Sequence, residues 1–335
     1  MTRVLLSTLV WFALSAGVAS EDLTAAGATT MEVTASKLLD VPGFGAYGPV
    51  HCDSRANLYF HTGFLWRQAT ILEIRSNGAT QVYSLDDRNA DPSELVDGES
   101  ALSFVAFDIS SDGNVWVLAS GRKRRGLYLY RFSDDPHNPT RTKLEVPEDV
   151  EASTVRNFVV MENGHVLIQG YLDESVSKRR QGKGYRIEFD PSGRLAQRHM
   201  FELTDSERVA QYSELAAARG DDGLVYLLLP DKVVGILPSG EVSRTIRISP
   251  PETGYQTSGF FLHHTQFIVA FSKQVVPQKP LAVRYALFDI STGKQLKILE
   301  PSVELGNSAV CFSDEGLTFF RVEKGKVKLL TAAVN

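Results

Sequence analysis

The chain has 335 residues, and its 43% hydrophobic and 22% charged residues are ordinary for a globular protein that buries a sizeable core. The formal net charge of −5 argues against a general attraction to nucleic acid or to anionic membranes. The length allows two domains, but large all-β domains of this size are often single units.

The N-terminal segment has the features of a secretory signal peptide. Arg3 precedes an apolar run over residues 4–19, with Val18 and Ser20 at the two positions that signal peptidase reads. The run is too short for a membrane anchor and lacks a stop-transfer flank. We therefore predict a signal peptide over 1–20, a linker over 21–30, and a secreted or periplasmic protein with no membrane span after cleavage.

Six similar hairpins follow along the chain, each with an apolar run, a short polar turn and a second run rich in aromatic and β-branched residues. They occupy residues 50–63, 104–121, 158–172, 214–231, 259–273 and 308–322. Their second strands are predicted to start near Asn57, Asn114, His165, Leu224, Phe267 and Leu317. The average interval is about 52 residues, which is in the range of propeller blades.

A second hairpin is predicted to follow each first one. Its turns include RSNGA (75–79), DPSGR (190–194), LPSGE (237–241) and ISTGK (290–294), in which glycine supplies a positive φ. Helical periodicity is almost absent. The pattern predicts an all-β, six-bladed propeller of four-stranded antiparallel blades, with strands A to D, as a single domain over 31–335.

The last repeat contains only three strands, because the chain ends after residues 325–334. The stretch 31–41 resembles the outer strands predicted at 140–146 and 242–248. We expect it to complete the last blade, so that the N-terminal strand closes the ring and leaves no sheet edge between its ends.

The turn in "FDISSDGNVWVLASG" (107–121) could bind a metal or a ligand, or it could only shape a hairpin. A turn that recurs at the same place in each repeat favours the architectural role. Asp112 and Gly113 tolerate turn conformations, and Trp116 suits packing between neighbouring sheets.

Charged loops are predicted to share the face formed by the B–C loops and the loops entering strand A. Two B–C loops are basic, "GRKRRG" (121–126) and "SKRRQGKG" (177–184), and Lys273 and Lys279 lie in a third. The loops entering strand A at 85–100 and 146–153 are acidic. The basic residues form a candidate surface for an anionic glycan or protein, although solvation or pairing with the acidic loops is the simpler interpretation. The candidates are Arg122, Lys123, Arg124, Arg125, Lys178, Arg179, Arg180 and Lys183.

A channel metal is the second candidate. His51, Asn157, Glu214 and Asn307 lie in or just before predicted A strands, and their side chains could hold calcium or zinc together. His263 and His264 are adjacent, so in a strand they would point to opposite sides and could not share one site. No cofactor is predicted outside this alternative.

The two cysteines occupy equivalent positions in the first and last blades. Cys52 and Cys311 each precede the start of the second strand, at Asn57 and Gly316, by five residues. Ring closure makes these blades neighbours, so a disulfide is conceivable in an oxidising compartment. Because inner strands of adjacent blades are expected to diverge beyond the reach of a disulfide, we favour two buried free thiols.

The repeats "GNVWVL" (113–118) and "NLYFHTG" (57–63) resemble the inner hairpins of the NHL and SMP-30/gluconolactonase-like six-bladed propellers. Those lactonases open their first blade with G-E-G-P-x-W, whose glutamate binds the metal. In "AYGPVH" (46–51), Gly48 and Pro49 fit this pattern, whereas Tyr47 replaces the glutamate and His51 the tryptophan. A phenol is a poor ligand for a hard cation, so the departure argues against a metal-dependent hydrolase.

Two hypotheses remain open. The first is an exported, monomeric, non-catalytic binding or scaffolding propeller whose partner is a protein or an anionic glycan and not a nucleic acid. The alternative is a metal-dependent hydrolase or lyase of the lactonase-like class. No G-x-S-x-G, H-E-x-x-H or glycine-rich phosphate loop is present to support catalysis.

Overall fold

A computed structural model describes residues 27–42, 50–62, 69–85, 102–121, 126–133, 135–172, 182–203, 216–273 and 282–334. Within these ranges the chain forms 25 β-strands and one short 3-10 helix, Ala152–Thr154. The strands make six sheets, each built on a four-stranded antiparallel meander, so the predicted six-bladed all-β fold is confirmed. No helix in these ranges is long and apolar enough to cross a membrane.

The first three blades follow one another along the chain, each listed from strand A to strand D. Blade 1 contains β3 (His51–Cys52), β4 (Leu58–His61), β5 (Ala69–Ile74) and β6 (Thr80–Leu85). Blade 2 contains β7 (Leu102–Ile109), β8 (Val115–Gly121), β9 (Leu127–Phe132) and β10 (Thr140–Lys143). Blade 3 contains β11 (Val155–Val160), β12 (Val166–Tyr171), β13 (Lys183–Phe189) and β14 (Leu195–Glu202).

The last three blades continue the ring. Blade 4 contains β15 (Ala217–Arg219), β16 (Val225–Leu229), β17 (Lys232–Ile236) and β18 (Val242–Arg247). Blade 5 contains β19 (Gln256–His263), β20 (Gln266–Lys273), β21 (Ala282–Asp289) and β22 (Gln295–Pro301). Blade 6 contains β23 (Ala309–Ser313), β24 (Gly316–Glu323), β25 (Lys326–Ala332) and the N-terminal β2 (Ala35–Pro42).

The B strands are nearly continuous apolar runs because neighbouring blades cover both of their faces. In β16, "VYLLL", every residue is buried, and most of "VWVLASG" in β8 is buried too. The D strands lie at the outer rim and read as polar, as in "TRTK" of β10. The core is therefore a ring of apolar layers between blades. The contact of Tyr83 in blade 1 with Phe132 in blade 2, at 5.6 Å between ring centroids, belongs to one such layer.

The polar turns place the B strands where the sequence predicts them. Strands β4, β8, β12, β16, β20 and β24 each start one residue from the predicted positions. Glycine in the turn adopts the required left-handed backbone, with φ of 85° at Gly113 and 77° at Gly223.

Two N-terminal strands stand where the sequence predicts one. β2 pairs antiparallel with β25 and completes blade 6, which confirms closure by the N-terminal strand. The preceding residues form β1 (Thr29–Met31), which adds a fifth, parallel strand to the outer edge of blade 5 beside β22. The start of the domain thus joins the last two blades at their rim.

Cys52 and Cys311 form a disulfide, so the preference for free thiols is wrong. Their Cα atoms are 5.7 Å apart, within the usual range for a disulfide. The expectation of divergence fails because A strands lie nearest the channel axis, where blades converge. In ring order, each A strand contacts the next, including β23 with β3.

The antiparallel meander gives the ring two faces. We call the face with the A–B and C–D turns the turn face, and the opposite one, with the B–C loops and the loops entering strand A, the loop face. Each A strand runs from the loop face to the turn face.

Candidate functional site

Four A strands have an ionisable side chain at their turn-face end, and those of blades 1, 2 and 4 form one cluster; His263 of blade 5 lies in another. His51 and Asp108 are the penultimate residues of β3 and β7, and Arg219 is the last residue of β15. The A strands of blades 3 and 6 end in Val159–Val160 and in Phe312–Ser313, and that of blade 5 ends in Leu262–His263. Since all A strands border the channel, these polar ends converge at one end of it.

Asp108 is the centre of this cluster and is 7% exposed. Its Oδ1 accepts the backbone N–H of Ile109 at 2.8 Å and lies 3.3 Å from Nδ1 of His51 in blade 1. Its Oδ2 accepts the backbone N–H of Val160 in blade 3 at 2.8 Å. An A strand is a sheet edge with unpaired N–H groups, so the carboxylate satisfies a donor that would otherwise be buried and unpaired.

Arg219 adds a fourth blade to the cluster. Its Nη2 donates to the backbone carbonyl of Ile109 in blade 2. Burial disfavours the ionised form of Asp108, but the charge of Arg219, the imidazole of His51 and the N–H of Val160 together outweigh it. They hold the pKa of Asp108 below its usual value. We call His51, Asp108 and Arg219 the channel cluster, because it joins blades 1 to 4 through one buried carboxylate.

Two buried nitrogen atoms of the channel cluster have no hydrogen-bond partner within the part of the chain that the structure describes. They are Nε2 of His51 and Nη1 of Arg219. The His51 ring is also fixed by an edge contact with Phe107, at 4.6 Å between centroids. A buried donor without a partner is costly, so these atoms are the points at which this cluster can take an oxygen of a ligand or a water molecule.

The predicted metal residues lie in different surroundings. His51 belongs to the channel cluster, Asn157 is buried in β11, and Asn307 precedes β23, where its backbone carbonyl accepts the Tyr285 hydroxyl at 3.2 Å. Glu214 and Tyr47 lie outside the described residues. Joint binding of one ion by His51, Asn157, Glu214 and Asn307 stays a prediction.

Seven of the eight basic candidates lie outside the described residues, and Lys183 is the exception. Lys183 begins β13 on the loop face, opposite Glu202 of β14. In the acidic loop 146–153, Oδ2 of Asp149 lies 2.6 Å from Nη2 of Arg198 in β14. The partner of this carboxylate is therefore a residue of blade 3. Whether the basic loops bind a partner also stays a prediction.

The Asp112 turn shapes its own hairpin, as predicted. The Ser110 hydroxyl and Nδ2 of Asn114 both donate to the Asp112 carboxylate, the latter at 2.6 Å. Trp116 donates its indole N–H to Ser110 at 3.1 Å and packs against the apolar layer between blades 2 and 3. These partners belong to blade 2, in contrast to those of Asp108.

His263 and His264 share one site, so the expectation that they point apart is wrong. The expectation places both in a strand, but β19 ends at His263 and His264 lies in the turn with a φ of 51°. The left-handed backbone breaks the alternation of side chains and brings the two rings to 4.0 Å between centroids.

Arg219 is not among the residues predicted from the sequence, and Asp108 is predicted only as part of the stretch 107–121. The available signal is a charged or imidazole side chain at the end of an A strand, immediately before the turn, where other repeats carry apolar residues. The partner of each such residue lies in another blade, and the spacing along one repeat does not reveal it.

No protein-family model matches the chain, and no curated protein matches it in sequence. Its fold is similar to that of a Bacteroides caccae protein of unknown function, with 14% identity, a TM-score of 0.49, and coverage of 77% of this chain and 83% of that one. A gluconolactonase-like protein gives 11% identity, a TM-score of 0.46, and coverage of 90% and 94%.

The Niastella koreensis GH74 enzyme gives 11% identity and a TM-score of 0.48, with 78% of this chain covering 38% of that enzyme. At these identities the likeness concerns the fold. The chain itself is a six-bladed β-propeller, closed by its N-terminal strand.

Proposed function

We propose that this chain is an exported, non-catalytic binding or scaffolding propeller. The observation that carries the proposal is that Asp108 has a structural role. In the described part of the channel, this buried carboxylate holds blades together through His51, Val160 and Arg219. A ring braced at its axis is a rigid scaffold, and loops on a rigid scaffold are the usual place for recognition.

The basic loops 121–126 and 177–184 are the proposed binding surface. They connect β8 to β9 in blade 2 and β12 to β13 in blade 3, and the strand ends that they join lie on the loop face. Asp149 of the acidic loop before blade 3 pairs with Arg198 of β14, so this carboxylate is neutralised by a residue outside the basic loops. The net charge of −5 confines this attraction to a local patch, so the partner is an acidic glycan or an acidic protein surface.

Heparin is a suitable anionic probe for this surface. We expect the mature protein to bind immobilised heparin at low ionic strength and to elute with salt. The double variant Arg124→Glu with Arg179→Glu should lose most of this retention. A matched control reverses Arg194 and Lys294, two exposed residues of C–D turns on the turn face, and should elute with the native protein.

Equal elution of the loop variant and the native protein contradicts the proposal, and so does a native protein that heparin does not retain. Circular dichroism of each variant separates loss of binding from loss of fold.

One observation favours the alternative, a metal-dependent hydrolase or lyase of the lactonase-like class. Nδ1 of His51 faces a carboxylate while its buried Nε2 has no partner in the described chain, an arrangement common for metal-ligating histidines. Under this alternative, His51, Asn157, Glu214 and Asn307 would hold calcium or zinc. Tyr47 in place of the family's glutamate argues against it.

The alternative predicts that Glu214→Gln abolishes a channel metal. The measurement is elemental analysis of the mature protein, purified without chelators. Both proteins carry His264→Asn, so that metal bound at the surface pair His263–His264 does not add to the metal in the channel. One calcium or zinc per chain that Glu214→Gln eliminates, with lactone hydrolysis lost in parallel, would support the alternative. A metal content unaffected by Glu214→Gln rejects Glu214 as a ligand.

A further inference from the structure

Four ionisable side chains from three blades meet on the turn face, outside the channel cluster. Asp221 lies in the A–B turn of blade 4, His264 follows His263 in the A–B turn of blade 5, and Asp314 lies in the A–B turn of blade 6. We call them the turn-face cluster. Because A–B turns of successive blades are neighbours around the axis, residues separated by about 40 to 50 positions come together here.

Three potential ligand atoms of the cluster lie within 4.8 Å of one another. Nε2 of His263 is 2.9 Å and Nε2 of His264 is 3.7 Å from Oδ1 of Asp314. Around a tetrahedral zinc ion with bonds of about 2.1 Å, ligand atoms are about 3.4 Å apart. The two distances bracket this value, and the exposed side chains of Asp314 and His264 can adjust without disturbing the core.

The backbone at His264 makes this arrangement possible. Its φ of 51° is uncommon for a residue other than glycine, although histidine is among those enriched there. With this conformation the imidazole leaves the strand alternation and joins that of His263. The ring of His263 is held in turn by an edge contact with Phe312 of blade 6, at 5.6 Å between centroids.

Asp221 is placed to orient His264. Its Oδ2 lies 2.7 Å from Nδ1 of His264. An Nδ1–H that donates to this carboxylate leaves the lone pair of the neutral ring on Nε2, the atom that faces Asp314. Metal-bound histidines commonly have such a carboxylate partner on the other ring nitrogen.

The charge of the cluster suits a divalent cation. With both imidazoles neutral, the two carboxylates leave two negative charges, which one divalent ion balances. Two imidazole nitrogens and one carboxylate oxygen favour zinc and similar transition metals over calcium or magnesium, which prefer oxygen ligands.

We propose that His263, His264 and Asp314 form a binding site for a zinc-like transition metal on the turn face, and that Asp221 orients His264. Three protein ligands leave a fourth coordination position for water or for a donor atom from a bound molecule. The site would connect blades 5 and 6 directly, with blade 4 as support. It is independent of the loop-face surface and of the channel residues.

The test is a titration of the mature, tag-free full chain with ZnCl₂ by calorimetry. We expect one zinc ion per chain. His264→Asn and Asp314→Asn should each reduce the affinity at least about tenfold, since each removes one of three ligands. Asp221→Asn should reduce it about 10- to 100-fold, the usual effect of losing the carboxylate partner of a metal-bound histidine.

Two controls localise the binding. His137→Asn changes an exposed histidine of blade 2 and should bind zinc as the native protein does. Lys294→Asn changes an exposed residue of another turn on the same face and should also leave the affinity unchanged. Cobalt gives an independent readout, because tetrahedral Co²⁺ has intense visible absorption that His264→Asn should abolish. The proposal is overturned if the native chain binds no zinc saturably, or if His264→Asn and Asp314→Asn both retain native affinity.

Discussion

Replacement of both Cys52 and Cys311 by serine should lower the free energy of unfolding by about 3 to 5 kcal/mol. The disulfide spans 259 residues, so it constrains nearly the whole unfolded chain and removes much of its conformational entropy. It also fixes β3, an A strand of two residues, against β23 at the junction of the first and last blades. The double variant should keep the fold, because β2 still completes blade 6 and the apolar layer between blades 6 and 1 remains.

Urea denaturation of the oxidised native protein and of the double variant measures this effect. The slope of unfolding free energy against urea should also rise in the variant, since its unfolded chain is less compact. Dithiothreitol provides the matched control, because it should destabilise the native protein to the level of the variant and leave the variant unchanged. A difference below about 0.5 kcal/mol between the two proteins would contradict a stabilising disulfide.

Local signals in the sequence are sufficient to predict the strands of the blades. Polar turns with glycine mark each hairpin, and both-sided burial makes the B strands continuous apolar runs, so the six starts are predicted to within one residue. The short β1 carries no such signal. Its three residues become a strand only because Leu299–Pro301 of β22 offers a free edge beside them.

Contacts between blades are the part that the sequence does not reveal. The disulfide, the Asp108 carboxylate on the Val160 N–H, and the approach of His264 to Asp314 all join residues from different repeats. Such contacts depend on how closely the A strands and their turns approach the axis. The repeat pattern defines each blade but not this distance.

Asp108→Ala should be the most destabilising single change in the channel, at about 3 to 4 kcal/mol. It leaves the buried N–H of Val160 without an acceptor and Arg219 without the charge that it faces. Asp108→Asn should cost about half as much, because an amide oxygen can still accept one N–H but carries no charge. The matched control is Asp112→Ala in the same hairpin. The side chain of Asp112 is 58% exposed and bonds within its own turn and to the partly exposed Arg131 of β9 in the same blade, so its loss should cost about 1 kcal/mol.

The same carboxylate should make stability depend on pH. The folded pKa of Asp108 is below its unfolded value of 3.8, so its contribution is fully present above pH 3.8. As the pH falls through the lower folded pKa, the unfolded chain binds the proton first and the contribution is lost. The stability difference between the native protein and Asp108→Asn should therefore be constant above about pH 5 and shrink below pH 3.8.

Urea unfolding of the native protein, Asp108→Asn and Asp112→Ala across this pH range separates the charge from the hydrogen bond. If Asp108 joins the blades through its charge, the Asp108→Asn curve converges on the native one in acid. Although partial burial opposes it, hydrogen bonds from Ser110 and Asn114 hold the pKa of Asp112 below its usual value, so the smaller offset of Asp112→Ala should shrink there as well. If Asp108→Asn is as stable as the native protein at neutral pH, the carboxylate is not what braces the channel. The buried charge would then be free for a ligand, and the non-catalytic proposal would lose the observation on which it stands.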